Sequence, residues 1–366
     1  MGGIIFAELF ADLIGCEKMK EDIESIQIRK RNRSFVFLLS LTLLLFTTII
    51  TCLTIGSVKI PAATVFRILF SFEDFSSSNT IATIIKDVRL PRILLGAIVG
   101  SSLSISGCAM QGLFRNPMAS PYIIGVSSGA AFGASLAILL AVKYSFAVSF
   151  IPIFAFVFAL LTVYIGYSIA KEGNKVPVET LILAGVAIMT FFTAMVSLIQ
   201  YVAGDELRSI VFWTMGGLWQ SKWSDVAITF PIIFVGTLVV LFFARDLNIM
   251  LLGEGHAIDL GINTESVKTI VLVFSSLITA TAVSVSGIIG FVGLIIPHIT
   301  RIFVGPDHRL LLPASSLSGA IFLIWADTLA RTIIQPSELP VGIITAAFGA
   351  PFFLYLLKKR KKLSGW

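Results

Sequence analysis

Charged residues divide this chain into long apolar runs. Stretches without Asp, Glu, Lys or Arg cover residues 34–58, 93–114, 116–142, 144–170, 180–203, 226–244, 269–300, 310–326 and 339–357. A helix needs about 20 apolar residues to cross a bilayer, so most runs predict one crossing each, and 310–326 is only just long enough. The run from Thr269 to Thr300 is too long for one pass. As a single helix its 32 residues would reach about 48 Å against a hydrocarbon core of about 30 Å. Gly287, Gly290, Gly293 and Pro297 offer break points, which predicts two short or broken passes with the change near Ser286 and Gly287. The pattern therefore predicts an all-α, polytopic membrane protein of about ten crossings. Residues 34–357 form the transmembrane domain, 1–33 an amphipathic and basic leading segment, and 358–366 a basic tail.

Composition supports that class. Hydrophobic residues make up 56% of the 366, charged residues only 13%, and mean hydropathy is +0.95. The first 32 residues carry Glu8, Asp12, Glu17, Glu21, Asp22 and Glu24 and do not read as a cleavable signal peptide. They predict a short amphipathic helix, or an extension ahead of a start at Met19. Cys16, Cys52 and Cys108 are scattered and odd in number, so no disulfide framework follows. The net charge of +6 gathers at membrane edges, which points to lipid and topology and away from nucleic acid. Basic clusters at Arg29–Arg33 and Lys358–Lys362 favour cytoplasmic termini, and two inside ends demand an even number of crossings. The first external loop breaks the rule. It holds Lys59, Arg67, Lys86, Arg89 and Arg92, only partly offset by Glu73, Asp74 and Asp87, and such an excess suits an acidic partner outside the membrane.

Polar and helix-breaking residues bracket the second crossing, with Arg89-Leu-Pro-Arg92 before it and Gln111 to Pro121 around its end. Interrupted helices at membrane depth face protein or a water-filled cavity, which favours transport over simple anchoring. There is no G-x-x-x-x-G-K-[ST] loop, so energy must come from a partner or an ion gradient. A gradient-driven transporter typically buries ionisable groups within its spans, whereas here they sit at span ends apart from Asp327. His256, His298 and His308 are far apart and no paired carboxylates recur at fixed spacing, so neither an enzyme, a metal site nor a bound cofactor is expected.

The chain resembles the permease subunit of the ATP-binding cassette (ABC) importers for iron chelates, haem and vitamin B12. The resemblance runs from about Ser34 to Leu357. It rests on the RLPR segment, Leu103–Gly107, Gln111 with Asn116-Pro117, Gly125–Ala130, Leu183–Ala187 and Trp213–Gly217. It continues through Leu252–Ala257, Ile289–His298, Asp307–Pro313, Ala326–Arg331, Glu338–Gly342 and Gly349–Phe353. It implies a vitamin B12 importer permease-like fold, a second permease subunit across a two-fold axis, two ATPase subunits at the inner face and an extracytoplasmic substrate-binding protein. The mechanism implied is alternating access, carrying an iron(III) siderophore, haem or cobalamin, with an oxyanion such as molybdate as the alternative cargo.

The same resemblance assigns residues. Arg89, Arg92 and Arg331 would dock acidic side chains of the binding protein; the residues alone also allow Arg89 and Arg92 to anchor the interface and Arg331 to pair with Asp327 one turn earlier. The polar interval at 246–267 would hold two short helices that insert into the ATPase, with Glu254 singled out and Ala257, Leu260 and Gly261 as packing positions. Gly255 and Ile258 depart there from the usual polar side chains, and Ser120 stands where relatives commonly carry an acid. The fifth crossing would line the pathway through Met189, Thr193, Ser197 and Gln200, whose 4-4-3 spacing keeps one face, followed by a short helix at the outer end. Gln111 and Asn116 either satisfy broken backbone or line a vestibule.

Overall fold

The computed structural model describes residues 32–70, 80–143, 149–173 and 175–363. From Leu44 onward the chain packs as one unit, which holds every site described below. The leading segment lies outside the described residues except for its last two positions. Along the chain, α1 (Asn32–Thr54) precedes a short α2 (Ala62–Phe70) and the 34-residue α3 (Thr80–Leu113). After a 3-10 turn at Pro121–Ile124 come α4 (Val126–Lys143), α5 (Ile151–Ala170), α6 (Val178–Val202) and the short α7 (Leu207–Met215). Then follow α8 (Trp223–Phe242), α9 (Ala244–Met250) and α10 (Glu254–Asp259). The last four are α11 (Thr264–Ser286), α12 (Val292–Val304), α13 (His308–Ala330) and α14 (Val341–Leu363).

Seven of these are long and apolar enough to span a bilayer, and the shorter apolar helices α4, α12 and α14 bring the described set to ten. The centre of the bundle is α3, which packs against α8, α11, α12 and α13. Its most apolar window is 78% buried, whereas that of α8 is 22% buried and presents Ile228, Phe230, Phe234 and Leu238 outward, as a lipid-facing helix does. Small residues make the central position possible. A Cβ on Gly100 would lie 2.3 Å from the Gly319 carbonyl oxygen, and one on Gly107 only 1.7 Å from that of Gly293. The second approach uses a carbonyl that Pro297, four residues on, cannot hydrogen-bond, because proline lacks the N–H.

Three boundaries differ from the apolar pattern. The second crossing begins at Thr80, thirteen residues before its charge-free run, because Arg92 is buried there against carboxylates and Arg89 against backbone carbonyls. A π-helical turn at Ile84–Arg89 ends just before Pro91, whose missing N–H would leave the Lys86 carbonyl open. The Trp223 indole N–H, at 2.9 Å, fills it. The third run was read as starting at Asn116, but its helix starts at Val126, since Pro117 and Pro121 interrupt it and Gly125 takes a left-handed φ of 88°. Helix α13, from the 310–326 run, extends through Asp327 to Ala330, four residues past the end of that run.

The broken seventh run is resolved as expected. Helix α11 ends at Ser286, Gly287 has φ 65°, and α12 resumes at Val292. The exposed backbone of the break is satisfied from outside it: Gly217 N–H donates to Ser286 O at 2.8 Å and the Tyr122 hydroxyl to Ile289 O at 2.9 Å. A carbonyl oxygen can only accept, so the hydroxyl is the donor. Gly216 is where α7 meets this break, because a Cβ there would stand 2.3 Å from Ile288 O.

Candidate functional site

At the end of the bundle where α3 starts, three arginines converge. Arg92 forms a fork with Asp327 of α13, donating from Nε to Oδ2 at 2.9 Å and from Nη2 to Oδ1 at 2.9 Å, while its Nη1 donates to Glu338 Oε2 at 2.8 Å. Arg89 donates to the carbonyl oxygens of Leu53, at 2.7 Å, and Val58. Arg331 donates from Nη2 to Cys52 O at 2.9 Å. Cys52 and Leu53 lie in the last turn of α1, where carbonyls lack helical partners and carry the negative end of the helix dipole. Arg89 and Arg331 therefore cap α1 from two other helices.

The three arginines expected to dock a binding protein are thus turned into the chain. In the free chain Arg89, Arg92 and Arg331 are only 4%, 7% and 7% exposed. The pairing of Arg331 with Asp327 one turn earlier is present but long, Nε to Oδ2 at 3.9 Å, and that carboxylate is held more closely by Arg92. The accessible members of this end are Glu338, 40% exposed, and Lys59, which lines an open pocket with Thr54, Gly56, Thr332 and Gln335.

The opposite end carries the two short helices expected in 246–267. Helix α9 is tied to α13 through Asn248, whose Nδ2 donates to Asp307 Oδ1 at 2.7 Å and whose Oδ1 accepts from His308 N at 2.8 Å. Helix α10 anchors on Ala257, which is fully buried, and exposes Ile258 and Leu260 beside exposed Leu251 and Leu252. Gly261 follows with φ 83°, so a left-handed residue closes the helix. Glu254 points into the chain as well as along its surface: Oε2 lies 2.8 Å from Lys268 Nζ, and Oε1 lies 3.5 Å from Arg115 Nη2. Lys268 in turn pairs with Glu265 at 3.0 Å. Sequence spacing missed Lys268 and Glu265; the signal available was a lysine in the second turn of a long apolar helix, which needs a partner.

The remaining candidates fall into two groups. Along α6, Thr193 and Ser197 are exposed and Met189 and Gln200 half-buried, while Leu181, Ala184, Ile188, Phe192, Val196 and Ile199 form the packed face. The structure thus keeps the four residues on the unburied side of the helix. Gln111 and Asn116 both hydrogen-bond within the chain. Buried Gln111 donates from Nε2 to Leu294 O and accepts from Arg301 Nη2, both at 3.1 Å, joining α3 to α12. Exposed Asn116 accepts from Met118 N at 3.0 Å and shapes the turn after α3. Cys52 and Cys108 are buried free thiols, and no cluster of metal-ligating side chains occurs among the described residues.

Comparison with known proteins adds an independent line. The FecCD transport family description matches residues 43–359. The cobalamin import system permease protein of Halobacterium salinarum is 49% identical over 287 residues, covering 78% of this chain and 76% of that one. The hemin transport system permease protein of Yersinia pestis is 39% identical over 320 residues, covering 86% and 94%. Among solved structures, an inward-facing metal-chelate type ABC transporter superposes with a TM-score of 0.78 at 35% identity, covering 88% of this chain and 98% of that one.

Proposed function

The chain belongs to the FecCD transport family, and from that premise we propose that it carries a metal chelate of the cobalamin, haem or iron(III) siderophore class through a two-fold permease pair driven by two separate ATPase subunits. It is a transport permease of the ABC importer kind for metal chelates, embedded in the membrane by many passes, and not an enzyme. The observation that carries the coupling part is the α9–α10 surface. Two helices of seven and six residues, too short to cross a membrane, present Leu251, Leu252, Ile258 and Leu260 to solvent on a firmly packed base. An apolar patch held on a rigid, buried anchor suits insertion into a groove of a partner.

ATP binding and hydrolysis in the partner would move this surface, and alternating access would follow as the paired subunits rock about the pathway. The exposed Thr193 and Ser197 face of α6 fits a pathway lining, with Met189 and Gln200 at its edges. At the arginine end, docking of an acidic extracytoplasmic binding protein would proceed by exchange: a partner carboxylate replaces Glu338 on Arg92 Nη1, while Arg89 and Arg331 hold the mouth in shape. Both termini would then lie in the cytoplasm.

Purification with a cognate ABC ATPase tests the reading. The wild-type chain should co-purify with it and support ATP hydrolysis. Leu260→Asp should abolish association with no fall in thermal midpoint, because Leu260 is 64% exposed and leaves the core untouched. Normal assembly of that variant would refute the coupling surface. Uptake of labelled cyanocobalamin, haemin, ferrichrome or molybdate by proteoliposomes then separates the cargo classes, and molybdate uptake alone would overturn the chelate assignment.

A further inference from the structure

The ion pairs at the α10 end form a chain that crosses four elements. Glu254 opens α10, and its Oε2 lies 2.8 Å from Nζ of Lys268 in the first turns of α11. The same ammonium donates to Glu265 Oε1 at 3.0 Å, and Glu265 Oε2 accepts from the backbone N–H of Val176, also at 3.0 Å. Val176 stands two residues before α6. A fourth element joins through Arg115, at the end of α3, which reaches the other oxygen of Glu254.

Two features make this more than a solvated surface network. The Lys268 side chain is only 8% exposed, so it cannot exchange its carboxylates for water at low cost. If α10 withdraws Glu254, the ammonium must follow it or fall back on Glu265. The segment that Glu265 holds is also built to move as a piece: Glu172 and Lys175 exchange backbone hydrogen bonds at 2.9 and 3.1 Å, and Val176 is buried behind them. Beside it lies a small apolar cleft of about 10 Å³, room for roughly one water, lined by Leu113, Tyr167, Val176, Val178, Lys268 and Leu272.

We propose that Lys268 and Glu265 are positioning residues that transmit displacement of α10 to the start of α6. The inference rests on the reading of α10 as the ATPase contact and adds the route by which that contact reaches a pathway-facing helix. The route is short, and each step is a charged or backbone hydrogen bond between different elements.

The test uses the full chain assembled with its ATPase in nanodiscs, with Cys16→Ser removing the one thiol not shown buried. Glu179→Cys, at an exposed position in the first turn of α6, supplies a label site for a fluorescent maleimide. In this parent, ATP should change the labelling rate. In Lys268→Met and in Glu265→Gln the ATP-dependent change should shrink about tenfold, within the usual range of coupling between linked sites. Lys268→Met should lower the thermal midpoint, since it strands two carboxylates, but the assembled complex should still hydrolyse ATP, and Lys268→Arg should restore the response; the ATP-dependent labelling of the assembled complex is the deciding readout. A purely structural role would lower the midpoint and leave the response of the surviving complex intact. The proposal is overturned if the parent shows no ATP response, or if both assembled variants respond as the parent does. If the parent recruits no ATPase, the assignment of α10 itself fails, and this inference falls with it.

Discussion

Asp327 is an acid 2% exposed inside a membrane-length helix, and its neutralisation depends on one fork from Arg92. Arg92→Met should therefore cost about 3–5 kcal/mol, since it strands a buried carboxylate. Combining it with Asp327→Asn should recover much of that loss, as denaturation of the purified proteins in detergent would show. An additive double variant would mean that the fork contributes little. The sequence brought Arg89, Arg92 and Arg331 forward as special, yet missed what they hold. Linear spacing does not reveal that the last turn of α1 comes to lie beside them. The clue it did contain was Asp327 itself, the acid that the apolar pattern leaves inside a pass and that must find a cation. Gln111 shows the same limit: its chemistry suggested either backbone support or a vestibule, and nothing in its spacing named Leu294 and Arg301 as its partners.

At the level of helices, glycine positions make opposite predictions according to what faces them. Gly107→Ala must force α3 from α12, because its Cβ would sit 1.7 Å from a backbone oxygen that cannot yield, and a loss of about 1–3 kcal/mol is expected. Gly255→Ala meets nothing within 4 Å inside α10 and should stabilise by about 0.4–1 kcal/mol. Thermal midpoints of the two variants would test the contrast, and equal shifts would contradict the packing argument. The break between α11 and α12 was legible because 32 residues exceed a bilayer and glycine marks where the chain turns. The start of α3 was not legible, since a charge-free run is only a proxy for a helix. Buried, hydrogen-bonded arginines lie within the helix and outside the run. The onset of the third pass was missed for the reverse reason: uncharged residues such as Pro117 and Pro121 satisfy the hydropathy rule and still prevent a helix.

Across the whole molecule, the parts that tie the bundle together come from opposite halves of the chain. Ten apolar helices could be counted from the run lengths, but their order in space depends on α3 meeting α12 and α13, which follow it by some two hundred residues. A chain stopped at Val304 should insert its early helices yet be degraded faster than the full protein, measurable as a shorter half-life in pulse-chase. Equal half-lives would show that the second half is dispensable for retention. The fork between Arg92 and Asp327 gives this a time scale. The two residues are 235 positions apart, and a ribosome adding about 5–20 residues per second needs roughly 10 to 50 s to make the second after the first. During that interval a guanidinium must sit beside lipid without its carboxylate, at a penalty below the roughly 2.5–3.5 kcal/mol of a helix centre. The first half of the chain thus carries an unmatched charge until α13 is made.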